Sequence, residues 1–207
     1  WGDDEVKLLP PRSLLRWLIH NASCPSNDDW GRSESTRAKR KALLQDRDSA
    51  VIREAIRQLD ADPTLAQSWH VLEGRSQPDV FLQTSEVMVV IEGKRTERKP
   101  TLSTTWMPVR HQMLRHLDCA IEICGTRRLF GFFIVEGVPA SSQDVPGNWA
   151  DFAKNTISDE VMSQSLPHRS DAMRRRIADS FIGATTWQAV CHALGIAFDR
   201  LPDEVDC

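Results

Sequence analysis

Hydrophobic and polar residues follow two different rhythms along this chain, and the change between them divides it. In PPRSLLRWLIHN the apolar side chains recur at helical spacing, which predicts a short helix over residues 9–20, and SCPSNDDWGRSES then breaks the pattern with Pro, Gly, Asn and Asp. From Ser35 the run STRAKRKALLQDRDSAVIREAIRQLDADP places Leu44, Val51, Ile52, Ala55, Ile56 and Leu59 on one stripe, predicting one long helix or two short ones ended by Pro63. Beyond Pro63 the period shortens. SWHVLEGR, PDVFLQ, EVMVVIEGKR and RRLFGFFIVEG are rich in Val, Ile, Phe and Leu, are bounded by turn residues, and read as strands. Between the third and fourth, MPVRHQMLRHLDCAIEIC has Pro108 near its start and Val109, Met113, Leu117, Ala120 and Cys124 on one helical face. A helix crossing over there makes the last strand parallel to its neighbour. After the loop GVPASSQDVPGN the remainder reads as helical, with Ser170 capping a Met173, Ile177, Phe181 stripe and TTWQAVCHALGI following.

These elements predict an α/β fold: a mixed, mostly four-stranded sheet flanked by helices, with a helical C-terminal extension. The expected division is an N-terminal helix and loop over residues 1–34, a core over 35–140, and a helical region over 141–207 packed on that core. A chain of 207 residues buries a sizeable core without staples. No apolar run approaches the roughly 20 residues of a membrane span. The five cysteines are scattered, with no Cys-x-x-Cys pair and no histidine at zinc spacing, and read as reduced structural thiols. The formal charge of -3 hides an uneven distribution, with acids at both ends and bases inside, so local patches decide what the surface attracts. The sequence opens at Trp1 with no signal-peptide pattern, and a cytoplasmic location is the expectation.

The candidate chemistry lies in QPDVFLQTSEVMVVIEGKRTE, residues 77–97. A hairpin turning at Ser85-Glu86, with Thr84 facing Val87, stands Asp79 opposite Glu92. One face then carries Val80, Leu82, Thr84, Val87, Val89 and Ile91, and is expected to be the core side. The other carries Asp79, Phe81, Gln83, Met88, Val90, Glu92 and Lys94, apolar in its middle and charged at one end. Two opposed carboxylates repel and raise one another's proton affinity unless a cation lies between them. Hard oxygen ligands that leave room for water and phosphate suit Mg²⁺ or Mn²⁺. Lys94, on the same face, would orient or deprotonate an attacking water, or hold a phosphate. The plainer alternative is a Glu92–Lys94 ion pair beside an Asp79 that caps a turn after Pro78.

Pro78-Asp79 followed by Glu92-Gly93-Lys94 resembles the PD-(D/E)xK nuclease superfamily, with its restriction-endonuclease-like fold, and the order of elements over residues 35–136 is similar. The resemblance implies a metal-dependent nuclease that hydrolyses phosphodiester bonds of nucleic acid, with DNA the expected substrate. It implies Mg²⁺ or Mn²⁺ on Asp79, Glu92 and the main-chain carbonyl of Gly93, with Lys94 supporting the nucleophile. Gln112 matches the glutamine that many members carry on the helix after the lysine strand. In one exonuclease-like branch a tyrosine follows that glutamine by four residues; His116 stands there in this chain, which has no tyrosine. Many members carry a further acid on the first core helix. Asp48, Glu54 and Glu73 are candidates: Glu54 points away from the apolar stripe, Asp48 fits it better, and Glu73 is nearer in sequence.

Basic residues cluster over 32–41, over 94–99 with Arg110 and Arg115 beyond, and over 174–176. The middle cluster follows the candidate site directly, so Arg95, Arg98, Lys99, Arg110 and Arg115 are candidate phosphate contacts, which supply affinity without sequence information. Trp106 either stacks on a base or packs at the helix entrance. Arg174, Arg175 and Arg176 read as a solvated helix face. Gly93-Lys94 is no P-loop, since Met88 stands where the first glycine belongs and Arg95 where Ser or Thr should follow. His111 and His116 lie about 140° apart on a helix at about 100° per residue, and each reads as structural or solvent-facing. The alternative function is a non-catalytic nucleic-acid-binding or protein-interaction module on the same fold, because a fold does not dictate an activity. A homodimer is compatible with either.

Overall fold

The computed structural model describes residues 6–23, 30, 33–62, 64, 65, 68–95, 97, 104–107, 109–139 and 141–201. Three helices come first: α1 (Arg12–Asn21), α2 (Glu34–Leu44) and α3 (Ser49–Ala61). The run that begins at Ser35 is therefore two helices. Arg47 takes a left-handed conformation (φ 54°), and the Asp48 carboxylate accepts the Ala50 and Val51 N–H groups at 2.7 and 3.2 Å to start α3. Leu14, Leu15, Leu18 and Ile19 of α1 bury against Leu43 and Leu44 of α2 and Ala55 and Leu59 of α3, together with Leu65, Leu72, Trp106 and Met107. This helical unit spans both sides of residue 34 and has a core of its own. Trp106 packs into it with the Arg40 guanidinium 5.2 Å from its ring centroid.

The sheet holds β1 (Val80–Gln83), β2 (Val87–Lys94), β3 (Arg128–Val135) and β4 (Phe181–Thr186), in that spatial order. β1 and β2 pair antiparallel from Val80↔Ile91 to Gln83↔Met88, and Thr84 N–H donates to Val87 O at 2.8 Å, which is the register the alternation predicts. β2 and β3 are parallel and joined through α4 (Gln112–Cys124), as the crossover requires. The strand expected in SWHVLEGR does not form. Its Trp69 and Val71 carbonyls instead accept from the Arg40 side chain, and Ser76 makes an isolated bridge to Leu8. The fourth strand is β4, parallel to β3 and inside the region expected to be helical. It follows α7 (Asp171–Ser180) with no intervening residue, so Phe181 extends the helical stripe in sequence while belonging to the strand in space. Ser170 caps α7 as expected, accepting from Met173 N–H. Helices α5 (Gly147–Thr156), α6 (Asp159–Ser165) and α8 (Trp187–Leu194) and a short 3-10 turn (Phe198–Arg200) complete the elements among the described residues. No helix among the described residues is long and apolar enough to cross a membrane.

The two faces of the hairpin are the reverse of the expectation. Met88 and Val90 are wholly buried in one core with Met113, Leu114 and Leu117 of α4, whereas Val80 and Leu82 are 38% and 53% exposed. Both faces are apolar along most of their length, so alternation separates them without saying which one a helix covers. α4 approaches so closely that a Cβ on Gly131 would lie 2.7 Å from Leu117 Cδ2. The charges at the end of β2 therefore sit on the covered side.

Arg110, just before α4, is fully buried, which overturns its expected role at a phosphate. Its guanidinium donates to Glu73 (3.1 Å), Asp118 (2.8 Å) and the Ser165 carbonyl (2.9 Å). Asp118 also accepts from Arg169 at 2.7 Å and contacts His168 at 3.1 Å. Burial alone would raise the Asp118 carboxyl, but Arg110, His168 and Arg169 outweigh it and hold it well below the usual range. Removing Arg110 leaves the buried Glu73 with Arg115 at 3.4 Å and takes from Asp118 one of its three basic partners. Arg110→Ala is expected to cost about 3–5 kcal/mol in urea unfolding at neutral pH.

His111 precedes α4, stacked on Phe152 with centroids 4.7 Å apart. Burial, and secondarily the charge of His116, pushes it down from 6.5 to about 4. The unfolded chain then binds the proton first, so the stability His111 contributes is complete above 6.5 and is lost as pH falls towards about 4. The urea midpoint should fall over that interval, and His111→Phe, which keeps the stacking and cannot titrate, should flatten the fall.

Candidate active site

Glu92 lies on the helix-covered face near the end of β2 and is 2% exposed. A carboxylate so placed needs donors, and it has three. Lys94 Nζ lies 2.9 Å from Oε1, Gln112 Nε2 donates to the same oxygen, and His116 Nε2 stands 3.0 Å from Oε2. Gln112 and His116 are one helical turn apart on α4, so the crossover out of β2 aims both at the strand end. His116 Nδ1 is in turn 2.6 Å from Ser76 Oγ. Because a carboxylate only accepts, Gln112 must turn its amide N–H towards Glu92, and its own Oε1 is left buried without a donor among the described residues.

Asp79 stands at the start of the hairpin, and its Oδ2 accepts the Gly93 N–H at 2.7 Å across the strands. Gly93 must be a glycine: a Cβ there would lie 2.9 Å from Trp187 Cζ2 and 3.6 Å from Asp79 Oδ2. Trp187 of α8 thus walls the site beside Asp79. The two carboxyls shift in opposite directions. Partial burial of its carboxyl, and then the charge of Glu92, raise Asp79 despite the opposing Gly93 N–H, Lys94 and His116. For Glu92, burial raises the carboxyl, but the bonds and charges of His116 and Lys94 more than offset it and the net shift is downward. Burial likewise lowers Lys94, yet Glu92 and Glu97 together raise it. Lys94 is therefore held as an ammonium between Glu92 and Glu97.

The structure thus brings Asp79, Glu92, Gly93, Lys94 and Gln112 together. The phosphate contacts fare differently. Arg98 and Lys99 lie outside the described residues. Arg95 reaches Glu136 at 3.1 Å, and Arg110 is buried. Arg115 donates to the Gly74 and Arg75 carbonyls at 3.1 and 2.8 Å. None of the three candidate further acids joins Asp79 and Glu92: Asp48 caps α3, Glu54 pairs with Arg57 at 2.7 Å, and Glu73 is held by Arg110. The residues missed are His116, Ser76 and Glu97, the last 3.3 Å from Lys94 Nζ. The spacing Gln112-x-x-x-His116 was the available signal for His116, since it shares a helix face with Gln112. Ser76 and Glu97 had none. Cys119, Cys124 and Cys191 are free and buried, as expected of structural thiols, and Cys24 and Cys207 lie outside the described residues.

Among the described residues no group of three or more His, Cys, Asp or Glu side chains is placed to hold a metal ion. What is present is a pair of carboxylates from the two arms of the hairpin, one of them raised by burial and then by the other, beside an acceptor on Gln112 that lacks a donor among the described residues. An oxygen-only pair fits a hard divalent cation that keeps several waters, such as Mg²⁺ or Mn²⁺, and does not fit a closed zinc site. No protein-family model matches the chain, and no curated protein or solved structure matches it.

In metal-free protein, carboxyl ¹³C resonances followed against pH should show Asp79 titrating above the ordinary range, and Glu92→Gln should bring it down. An Asp79 titration that ignores Glu92→Gln would mean the two carboxylates do not feel one another.

Proposed function

We propose that this chain is a metal-dependent nuclease of the PD-(D/E)xK type, with a restriction-endonuclease-like core, hydrolysing phosphodiester bonds of nucleic acid and of DNA in particular. The observation that carries the reading is the convergence at one strand end of Asp79 and Glu92 from the two arms of the hairpin, with Lys94 2.9 Å from the Glu92 carboxylate. The antiparallel hairpin followed by a parallel helical crossover supports it at the level of the fold.

In this reading Asp79, Glu92 and the Gly93 carbonyl would hold Mg²⁺ or Mn²⁺, which when bound neutralises phosphate charge and lowers the pKa of a water. Lys94, held as an ammonium, holds a phosphate oxygen or a lone pair of the attacking water. Gln112 positions groups by hydrogen bonds alone. The basic run after Lys94, with Arg95, Arg98 and Lys99, contacts backbone phosphates without reading sequence. A cytoplasmic setting belongs to the same reading.

A second reading, a non-catalytic nucleic-acid-binding or protein-interaction module, is favoured by one feature: Glu92 already has Lys94, Gln112 and His116 around it. Incubation with linear and circular DNA, with and without Mn²⁺, separates the two. The nuclease reading expects metal-dependent cleavage that Asp79→Asn and Glu92→Gln abolish while the fold persists. Lys94→Ala should lose rate on the order of 10² or more, and Gln112→Ala much less, because only Lys94 brings charge to the reacting group. Both variants should still bind Mn²⁺, since neither side chain is a ligand. A fully active Lys94→Ala protein would reduce Lys94 to a structural ion-pair partner of Glu92, and a wild-type protein that neither cuts nor binds Mn²⁺ would leave the non-catalytic reading standing.

A further inference from the structure

We propose that Ser76 and His116 form a positioning relay that sets the orientation of the Glu92 carboxylate and thereby the affinity of the Asp79–Glu92 pair for a divalent cation; this rests on the nuclease reading above. The relay is a continuous run of buried hydrogen bonds. His116 Nε2 is 3.0 Å from Glu92 Oε2, and His116 Nδ1 is 2.6 Å from Ser76 Oγ. Since a carboxylate only accepts, Nε2 carries the hydrogen; Nδ1 then meets the Ser76 hydroxyl, accepting from it in the neutral ring and donating to it in the charged one. Both ring nitrogens are tied, so the ring cannot turn without losing two bonds.

Ser76 is itself immobilised. It is wholly buried, and its main chain bridges Leu8 in both directions, Ser76 N–H to Leu8 O at 2.8 Å and Leu8 N–H to Ser76 O at 2.9 Å. The hydroxyl is therefore presented from a main-chain position that the Leu8 segment, which leads into α1, holds in place. His111, five residues before His116, shows what a merely packed histidine looks like in this molecule: stacked on Phe152, with Nδ1 unpartnered and Nε2 3.3 Å from a threonine hydroxyl. His116 has no ring stack of that kind among the described residues; its two bonds run from a fixed hydroxyl to the candidate metal ligand. Partners that orient a metal-binding side chain in this way typically change metal affinity or activity by roughly 10–100-fold when removed.

The test is Mn²⁺ calorimetry and thermal unfolding of the intact chain and of Ser76→Ala, His116→Ala and His116→Gln, with cleavage kinetics on linear DNA alongside. Ser76→Ala keeps the Leu8 bridge and removes only the hydroxyl; it should weaken Mn²⁺ binding about tenfold, at the low end of that range. His116→Ala should weaken it further, and His116→Gln, whose amide can still donate to Glu92, should recover most of the loss. Turnover should fall in the same order while the KM for DNA stays constant, since neither residue meets the substrate. If His116→Ala does not fold, Ser76→Ala decides the matter. Variants that bind Mn²⁺ as tightly as the parent while melting earlier would overturn the relay and leave both residues as packing. A parent protein that binds no Mn²⁺ would instead overturn the nuclease reading, and the relay with it.

Discussion

The buried guanidinium of Arg110 holds the architecture together. Five N–H donors without access to water must all find acceptors, and those acceptors come from three separate parts of the chain: Glu73 ahead of the hairpin, Asp118 within α4, and the Ser165 carbonyl at the end of α6. Such a group costs a great deal to desolvate, and it is tolerated because two carboxylates and a carbonyl face it. Its consequence is positional. Arg110 pins the chain immediately before α4, and α4 is covered on nearly every side, with nine of its thirteen residues buried. A helix covered to that extent has to find protein partners for its inward polar groups, so Asp118 turns to Arg110 and Arg169 while Gln112 and His116 turn to Glu92.

The two charged centres of the molecule follow opposite logics. Around Arg110 every charge is matched inside the protein, and the carboxyl of Asp118 is driven far below its ordinary value. At the end of β2 the matching is uneven. Glu92 is held ionised by His116 and Lys94, whereas Asp79, nearer the surface, accepts one main-chain N–H and is raised by burial and by its neighbour. A carboxylate pair with one settled member and one poorly neutralised member favours an external cation; a fully matched cluster does not. This difference separates a structural ion network from a candidate site within one chain.

Much of the site was legible because it is local. Asp79, Glu92, Gly93 and Lys94 lie within one hairpin, and strand alternation sets their pairing without reference to the rest of the molecule. Gln112 was indicated by the family resemblance alone, while the helical period placed it on the helix that leads to β3. Arg110 was misread for the converse reason: its neighbours in sequence are a basic run and a helix start, while two of its acceptors lie thirty-seven residues before it and fifty-five after it. Ser76 is linked to His116 across forty residues, and no local pattern carries that.

By itself the sequence determined the hairpin and its register, the parallel crossover through α4, and the helical character of the N-terminal segments, because each depends on a period repeated over neighbouring residues. The tertiary structure alone decided the rest. It chose the Met88 and Val90 face of an evenly apolar hairpin as the covered one, since a face is core only where a helix arrives. It drew Phe181–Thr186 into the sheet beside β3 while SWHVLEGR, with no strand alongside, stayed outside it. It also turned charged and polar side chains inward at Glu92, His116, Asp118 and Arg110. Burial of such groups is favourable only when distant partners are already in place, and that condition belongs to the folded chain, not to any stretch of it.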